Sequence, residues 1–341
     1  MIDGPDRAGD AVAPDGAAEA TPIARAAVLG SPIGHSLSPA LHGAAYAHLG
    51  LAAEYTRREV DVDGLQAFLA AADADPSGPP WLGWSVTMPL KAAMVEHMDA
   101  VSDRVRRLGV LNTVVHRDGR RRGENTDVDG IVAALREARP EGLRPAAGGA
   151  SEAPFALVGA GATAAATLAA AAELGFVDVR CHARAPERAE ALRPVAETLG
   201  LRLLTLPLED LVDDLSGRGA HPTPAAVVST LPPSAADGLA EQLAAPSAGR
   251  GAAGEGGEVG APRTAEVPLL DVAYDPWPSR LATAWESRGG VVVSGLSMLL
   301  HQAVAQVDLF TAATPRPAAE EPPESRAAMV AAMRAAVGLP G

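Results

Sequence analysis

The chain has 341 residues, enough for about two domains at roughly 150 residues each. Hydrophobic residues make up 48% and aromatic residues only 3%, so wholesale disorder is excluded and Ala, Leu and Val must do most of the packing. A net charge of −14 repels nucleic acid and anionic membranes, and a single cysteine, Cys181, excludes an internal disulfide framework and a multi-cysteine metal site.

Residues 1–24 are rich in Ala, Gly, Pro and Asp and read as a disordered tail. Asp3, Asp6, Asp10, Asp15 and Glu19 stand there against a lone Arg7, without the basic start and apolar run of a secretory signal. The expected location is cytoplasmic. Ala26-Ala27-Val28-Leu29-Gly30 reads as a strand ending in a turn. Ser38-Pro39 opens a helix through about Leu49, with Ser38 as N-cap and Pro39 at the first helical position. Glu54 to Val60 alternates like a strand, Val62 to Ala72 is helical, and Trp81 to Val86 is a strand. Pro89 opens a helix through about Met98. Asn112 to His116 and Arg121 to Glu124 pair as a hairpin around Asp118-Gly119.

Asp127 to Ala138 is the next helix, and Arg139 to Pro154 reads as an expanded surface loop. From Phe155 the order is strand, glycine turn, long helix, strand (Val177 to His182), helix (Pro186 to Leu199) and strand (Arg202 to Leu206). Phe155 to Ala172 carries no charge, but Ala, Gly and Thr dominate it. A buried strand and helix are expected there, not a membrane span. Val227 to Thr230 and Leu269 to Val272 are short apolar strands, and Ala244 to Ala265 is a Gly/Ala-rich loop. Leu296 to Phe310 is an apolar helix, 313–324 is Pro/Glu-rich, and Arg326 to Val337 is a short terminal helix. Strands alternating with helices imply parallel βαβ units and a doubly wound sheet.

Three motifs carry chemistry. Phe155-Ala156-Leu157-Val158 runs into Gly159-Ala160-Gly161-Ala162-Thr163-Ala164, a strand, a tight glycine turn and a helix start. The glycines let backbone approach a pyrophosphate, and the helix N-terminus supplies N–H donors. The next strand ends in Cys181-His182-Ala183-Arg184, with Arg188 one turn later and no acid at its tip. An arginine fork suits a 2′-phosphate, so NADP is favoured over NAD, although a solvated arginine fits the same pattern.

Ser36 and Ser38 form the second motif, two hydroxyls at a helix N-terminus. Capping alone accounts for Ser38, and Ser36 is left over for a carboxylate or polyol. The third is Thr87-Met88-Pro89-Leu90-Lys91. Pro89 puts Lys91 in the first helical turn, against the helix dipole, which suits proton transfer better than a structural role. An exposed lysine remains the alternative. Asp127, after Asn125-Thr126, is either an N-cap or a carboxylate facing that lysine across the domain junction.

These residues resemble the shikimate dehydrogenase family over about 26–312, in family order. Gly30-Ser31-Pro32-Ile33-Gly34-His35-Ser36-Leu37-Ser38-Pro39 resembles its opening substrate motif, and Ser85-Val86-Thr87-Met88-Pro89-Leu90-Lys91 its N-V-T-x-P-x-K segment. Leu111-Asn112-Thr113 and Gly123-Glu124-Asn125-Thr126-Asp127 resemble A-x-N-T and G-x-N-T-D. Asp271-Val272-Ala273-Tyr274 and Gly295-Leu296-Ser297-Met298-Leu299-Leu300-His301-Gln302 resemble the late substrate motifs.

The resemblance implies an α/β fold of two domains: an N-terminal substrate-binding domain over 25–126 and a Rossmann-type NADP-binding domain over 127–294. Helices in 295–341 would return to the first domain. It implies NADPH reduction of 3-dehydroshikimate to shikimate and its reverse. Lys91 and Asp127 would carry the proton chemistry. Ser36, Ser38, Thr87, Asn112, Asp127, Tyr274 and Gln302 would contact substrate. Gly159, Ala160, Gly161, Ala162, Thr163, Arg184, Arg188, Thr230 and Gly295 would hold NADP. No metal is implied, and the partners are small molecules acting on a monomer or homodimer.

The sequence departs from the family pattern in places. Ser85 stands where Asn is usual, Ala162 replaces a second consecutive glycine, and Ala183 replaces the Asn of N-R-T. Ser229-Thr230-Leu231-Pro232-Pro233 departs from the usual N-A/T-T-P/S-x-G. A relative acting on quinate or aminoshikimate therefore stays open. A non-catalytic dinucleotide-binding regulator is the remote alternative, opposed by Lys91 and Asp127, which a binding module does not need.

Overall fold

The computed structural model describes residues 23–75, 78–143, 153–218, 221–245, 263–312 and 323–340. The expected tail up to residue 22, and 144–152, 246–262 and 313–322 of the expected loops, lie outside the described residues.

The first sheet is built from β1 (Ala24–Gly30), β2 (Ala53–Glu59), β3 (Trp81–Val86), β4 (Ala100–Val101), β5 (Thr113–Arg117) and β6 (Arg120–Glu124). The helices between them are α1 (Ser38–His48), α2 (Leu65–Asp73), α3 (Leu90–Ala93) and α4 (Asp103–Leu108). Strand order is β2-β1-β3-β5-β6-β4. β1 is parallel to β2 and β3, and β5 is antiparallel to both β3 and β6. The hairpin turns at Asp118 (φ 52°) and Gly119 (φ 71°), the left-handed pair that a two-residue Asp-Gly turn requires. β4 and α4 escape the sequence reading because both are too short to show a period.

α5 (Asp127–Ala138) leads into the second sheet. Its strands are β7 (Phe155–Val158), β8 (Asp178–Ala183), β9 (Arg202–Pro207), β10 (Ala226–Ser229), β11 (Leu269–Asp271) and β12 (Val292–Ser294). Between them run α6 (Ala162–Glu173), α7 (Pro186–Ala189), α8 (Arg193–Thr198), α9 (Asp210–Leu215), α10 (Asp237–Ala244) and α11 (Arg280–Glu286). All neighbours pair parallel in the order β12-β11-β10-β7-β8-β9, the doubly wound arrangement whose switch point lies between β7 and β10. The helix expected over Pro186 to Leu199 is broken into α7, a 3-10 turn (Glu190–Leu192) and α8. Pro194 explains the restart, since it has no N–H to continue a helix.

The charge-free stretch from Phe155 is β7 followed by α6, and α6 buries every residue from Ala164 to Ala171. Alanine lets this helix sit close to its sheet, which is how so few aromatics suffice. No helix among the described residues is long and apolar enough to cross a membrane. Cys181 is buried in the same core, and burial pushes its thiol up to about 12.

α12 (Gly295–Thr311) and α13 (Pro323–Ala336) close the chain. Val128, Ile131 and Leu135 of α5 belong to the core of the second sheet, together with Met298 at the start of α12. Further along α12, Leu300, Ala303, Val304, Val307 and Phe310 pack with Ala26, Val28, Leu41 and Tyr46 beside the first sheet. α13 adds Met329 and Met333 to that core. One helix thus spans from one core to the other and carries its polar residues past the cleft between them.

Candidate active site

The serine loop is braced from β2. Tyr55, Arg57 and Glu59 alternate on one face of that strand. Arg57 donates through Nε and Nη2 to the Ser36 carbonyl at 2.9 and 2.6 Å. Glu59 accepts from Ser31 Oγ at 2.6 Å and from the Ile33 N–H at 2.9 Å. The capping expectation is reversed here. Leu37 already has helical dihedrals and is the N-cap of α1, so Ser38 is the first helical residue and Pro39 the second. The Ser38 N–H donates to Ser36 Oγ at 3.3 Å, so Ser36 rather than Ser38 serves the helix end.

Lys91 and Asp127 are brought together from different elements. Pro89 occupies the cap position of α3, one residue earlier than expected, and Lys91 is in the only turn of that helix. Asp127 is the first residue of α5, whose cap is Thr126. The N-cap reading of Asp127 is therefore corrected, because its carboxylate is spent on tertiary partners. Its Oδ2 lies 2.5 Å from Lys91 Nζ, with the side chains 12% and 7% exposed. Its Oδ1 accepts from Asn112 Nδ2 at 2.9 Å. Asn112 also donates to Gln302 Oε1 at 3.1 Å, and Gln302 Nε2 donates to the Leu299 carbonyl at 3.0 Å. A buried pair of opposite charges keeps its place only when further hydrogen bonds satisfy it, which Asn112 provides.

The glycine turn lies at the carboxyl end of β7. Gly159 has φ 99°, and a Cβ there would meet Thr230 Oγ1 at 2.7 Å. Thr230 itself donates to the Val158 carbonyl at 2.9 Å. Gly161 is the N-cap of α6 and has no side chain to give, so the first N–H groups of this helix find no side-chain cap. Ala160, Gly161 and Ala162 are exposed, and a Cβ on Gly161 would meet nothing within 4 Å. An open, uncapped helix N-terminus beside a glycine turn suits a phosphate. Arg184 and Arg188 lie beyond β8, and Arg184 lines a shallow pocket with Glu209 and Gln242. Gly295 begins α12, and a Cβ there would collide with the Val272 carbonyl, so close backbone packing accounts for this glycine.

A cleft of about 270 Å³ lies among the serine loop, the Lys91–Asp127 pair and the start of α12. Ser36, Ser38, Thr87, Lys91, Asn112, Asp127, Tyr274 and Gln302 all line it, with Thr163 of α6 and Gly295 of α12. Arg184, Arg188, Thr230 and the turn from Gly159 to Ala162 do not line it. Burial, followed by the nearby Asp275 charge, raises the Tyr274 phenol above its usual range.

Sequence reasoning missed Gln306, which lines the cleft, and Tyr55, which stands behind Ser85 and donates to it at 2.5 Å. His42 was missed too; it is fully buried, stacks on Tyr55 at 4.1 Å and bonds Gln306 at 3.2 Å. Spacing held a signal for Gln306, which lies one helical turn beyond Gln302 and shares its face.

Residues 28–114 match a family model described as the shikimate dehydrogenase substrate binding domain. The chain is 33% identical over 318 residues to the shikimate dehydrogenase (NADP(+)) of Sphingopyxis alaskensis, covering 92% of this chain and 98% of that one. Among solved structures, the shikimate dehydrogenase of Mycobacterium tuberculosis is 36% identical with a TM-score of 0.67, covering 91% of this chain and 98% of that one. The shikimate 5-dehydrogenase of Thermus thermophilus, solved in complex with NADP(H) and shikimate, is 30% identical with a TM-score of 0.64. That match covers 92% of this chain and 99% of the other.

Proposed function

The chain belongs to the shikimate dehydrogenase family, and on that premise we propose that it catalyses the reversible NADPH-dependent reduction of 3-dehydroshikimate to shikimate. The observation that carries this reading is the Lys91–Asp127 pair, 2.5 Å apart in a cleft that also holds Ser36, Ser38 and Gln302. In the same reading 25–126 is the substrate-binding domain, 127–294 the NADP-binding domain, and 295–341 the return to the first.

The residues fit NADP. The α6 N-terminus is uncapped, Gly161 leaves open space, and Arg184 and Arg188 have no ion-pair partner among the described residues. These groups would hold the pyrophosphate and the 2′-phosphate. When bound, the cofactor supplies the hydride for reduction. The chain's own residues do the rest. Ser36 and Ser38 hold the substrate carboxylate. Thr87, Asn112, Gln302 and Tyr274 fix the ring by its hydroxyls, so that the reacting carbon is held in one place. Lys91 gives the proton to the C3 oxygen during reduction and takes it back in the reverse direction. Asp127 holds the lysine and that oxygen in register. The assembly in this reading is a monomer or homodimer. The acidic chain and its single buried thiol suit a reducing cytoplasm.

Ser85, in place of the motif's Asn, is the observation that favours testing quinate and aminoshikimate as second substrates. Initial rates with shikimate, quinate and aminoshikimate against NADP+ and NAD+ test the proposal. Shikimate with NADP+ is expected to give the highest kcat/KM. A higher value for either other substrate overturns the substrate assignment, and no turnover of any overturns the enzymatic one.

A further inference from the structure

We propose that Tyr55, Ser85, Gln306 and Thr113 are positioning residues: they form a one-way chain of hydrogen-bond donors that holds Asn112, and through it the Asp127 carboxylate, in the orientation that serves Lys91. The proposal rests on the assignment of Lys91 and Asp127 to the proton chemistry.

Two backbone groups fix the direction of the chain. The Asn112 carbonyl can only accept, so the side-chain atom of Gln306 that meets it at 3.2 Å is Nε2. Gln306 Oε1 is then turned to Ser85 Oγ at 2.7 Å and to His42 Nε2 at 3.2 Å. A serine hydroxyl has one proton, and Ser85 gives it to Gln306. The Tyr55 hydroxyl, 2.5 Å from Ser85 Oγ, must therefore be the donor to it. Burial keeps the Tyr55 phenol protonated by raising it above its usual range.

At the other end the Thr126 backbone N–H can only donate. The Asn112 atom that receives it at 2.7 Å is therefore Oδ1. Thr113 Oγ1 receives Gln306 Nε2 at 2.9 Å and passes its own proton to Asn112 Oδ1 at 2.8 Å. Asn112 Nδ2 is left facing Asp127 Oδ1 at 2.9 Å, which frees Oδ2 for Lys91. Every donor from Tyr55 onward points toward the carboxylate.

All of these side chains are buried, from Tyr55 at 9% exposed to Gln306 and Thr113 at 0%. Aligned donors in a low-dielectric interior polarise one another, so the chain strengthens the last bond to Asp127. Ser85, which Tyr55 bonds, lines the same cleft as Ser38 and Lys91, so the chain runs along the wall of the cleft to the lysine end. Ser85, the departure from the family motif, acquires a role here. A single oxygen that both accepts and donates turns the corner between Tyr55 and Gln306.

The test measures kcat and KM for shikimate in Tyr55→Phe, Thr113→Val, the double variant and Thr113→Ser. Each single variant is expected to lower kcat about tenfold while KM for shikimate moves less than about twofold. The double variant is expected to match the worse single, because either change already cuts the chain. Thr113→Ser, which keeps the hydroxyl, is expected to recover kcat to within about twofold of the parent. Should Thr113→Val fail to fold, Ser85→Ala takes its place in the cycle with the same expectation. Multiplied effects in the double variant, parental kcat in both singles, or losses confined to KM overturn the chain. Failure of the underlying assignment reads differently: Lys91→Ala would then keep its turnover.

Discussion

Lys91 and Asp127 stand 2.5 Å apart, although they lie 36 positions apart in the chain, and each sits in the first turn of its helix without a capping role for its side chain. The lysine belongs to a short helix after β3, and the aspartate opens the helix that leads away to the second sheet. The aspartate suits the N-terminus of its helix, whereas the lysine in the single turn of its own helix gains nothing there from the helix dipole. Together the two charges neutralise each other at the wall of the cleft. Asp127→Asn keeps the shape and removes the charge. It is expected to lower kcat about 100-fold with a smaller change in KM for shikimate, read from initial rates. A parental kcat would remove Asp127 from the chemistry.

Arg184 lies beyond β8 with no ion-pair partner among the described residues. A guanidinium that meets a 2′-phosphate contributes a charge-assisted bond that NAD cannot form. Arg184→Ser is expected to raise KM for NADP+ by about 10–100-fold and KM for NAD+ by less than about twofold. Equal effects on the two cofactors would contradict the phosphate role.

Arg180 and Asp214 form a second buried pair, away from the cleft, at 2.9 Å with side chains 8% and 1% exposed. Removing one partner strands the other charge in the core. Asp214→Leu is expected to destabilise the fold by about 3–5 kcal/mol, measured by urea unfolding. Arg180→Met combined with Asp214→Leu is expected to recover most of that loss, because no bare charge remains. An equally unstable double variant would refute the account.

Burial lowers His116 to about 4 and His182 to about 4, from an ordinary value near 6.5. His42 falls further, to about 3, for the same reason. All three are neutral in the folded protein at pH 7. Unfolded, they bind protons near pH 6.5, so the unfolded state takes up more protons below that pH. Their stability contribution is present above about 6.5 and is lost as pH falls toward 4, and toward 3 for His42. His116 packs edge-on against Trp84 at 4.2 Å, and His116→Phe keeps the ring while removing the titration. The urea midpoint of this variant is expected to fall less than the parent's between pH 7 and 5. Parallel curves would contradict the assignment.

Local chemistry made much of this protein legible. The Gly159 turn, the Asp118-Gly119 hairpin and the βαβ alternation each depend on neighbours within a few residues, and each stands where the pattern predicts. Capping was read less well. Ser38 and Asp127 both carry good cap side chains, but Ser36 supplies one helix end and Lys91 draws the carboxylate from the other. Helical spacing puts Gln306 on the face of Gln302, but its partners were beyond local reasoning. Its partners Ser85 and Thr113 lie 221 and 193 residues away, and only the return of α12 to the first sheet brings them together. Tyr55 stayed hidden for the same reason, inside what reads as an ordinary alternating strand.

The central claim is that Lys91 moves the proton while the serine end of the cleft binds the substrate. The most direct measurement is kcat for Lys91→Ala alongside the Kd for shikimate from calorimetry on the same preparation. The account predicts a kcat roughly 10²–10⁴-fold below the parent with shikimate still bound. Near-parental turnover in Lys91→Ala would contradict it.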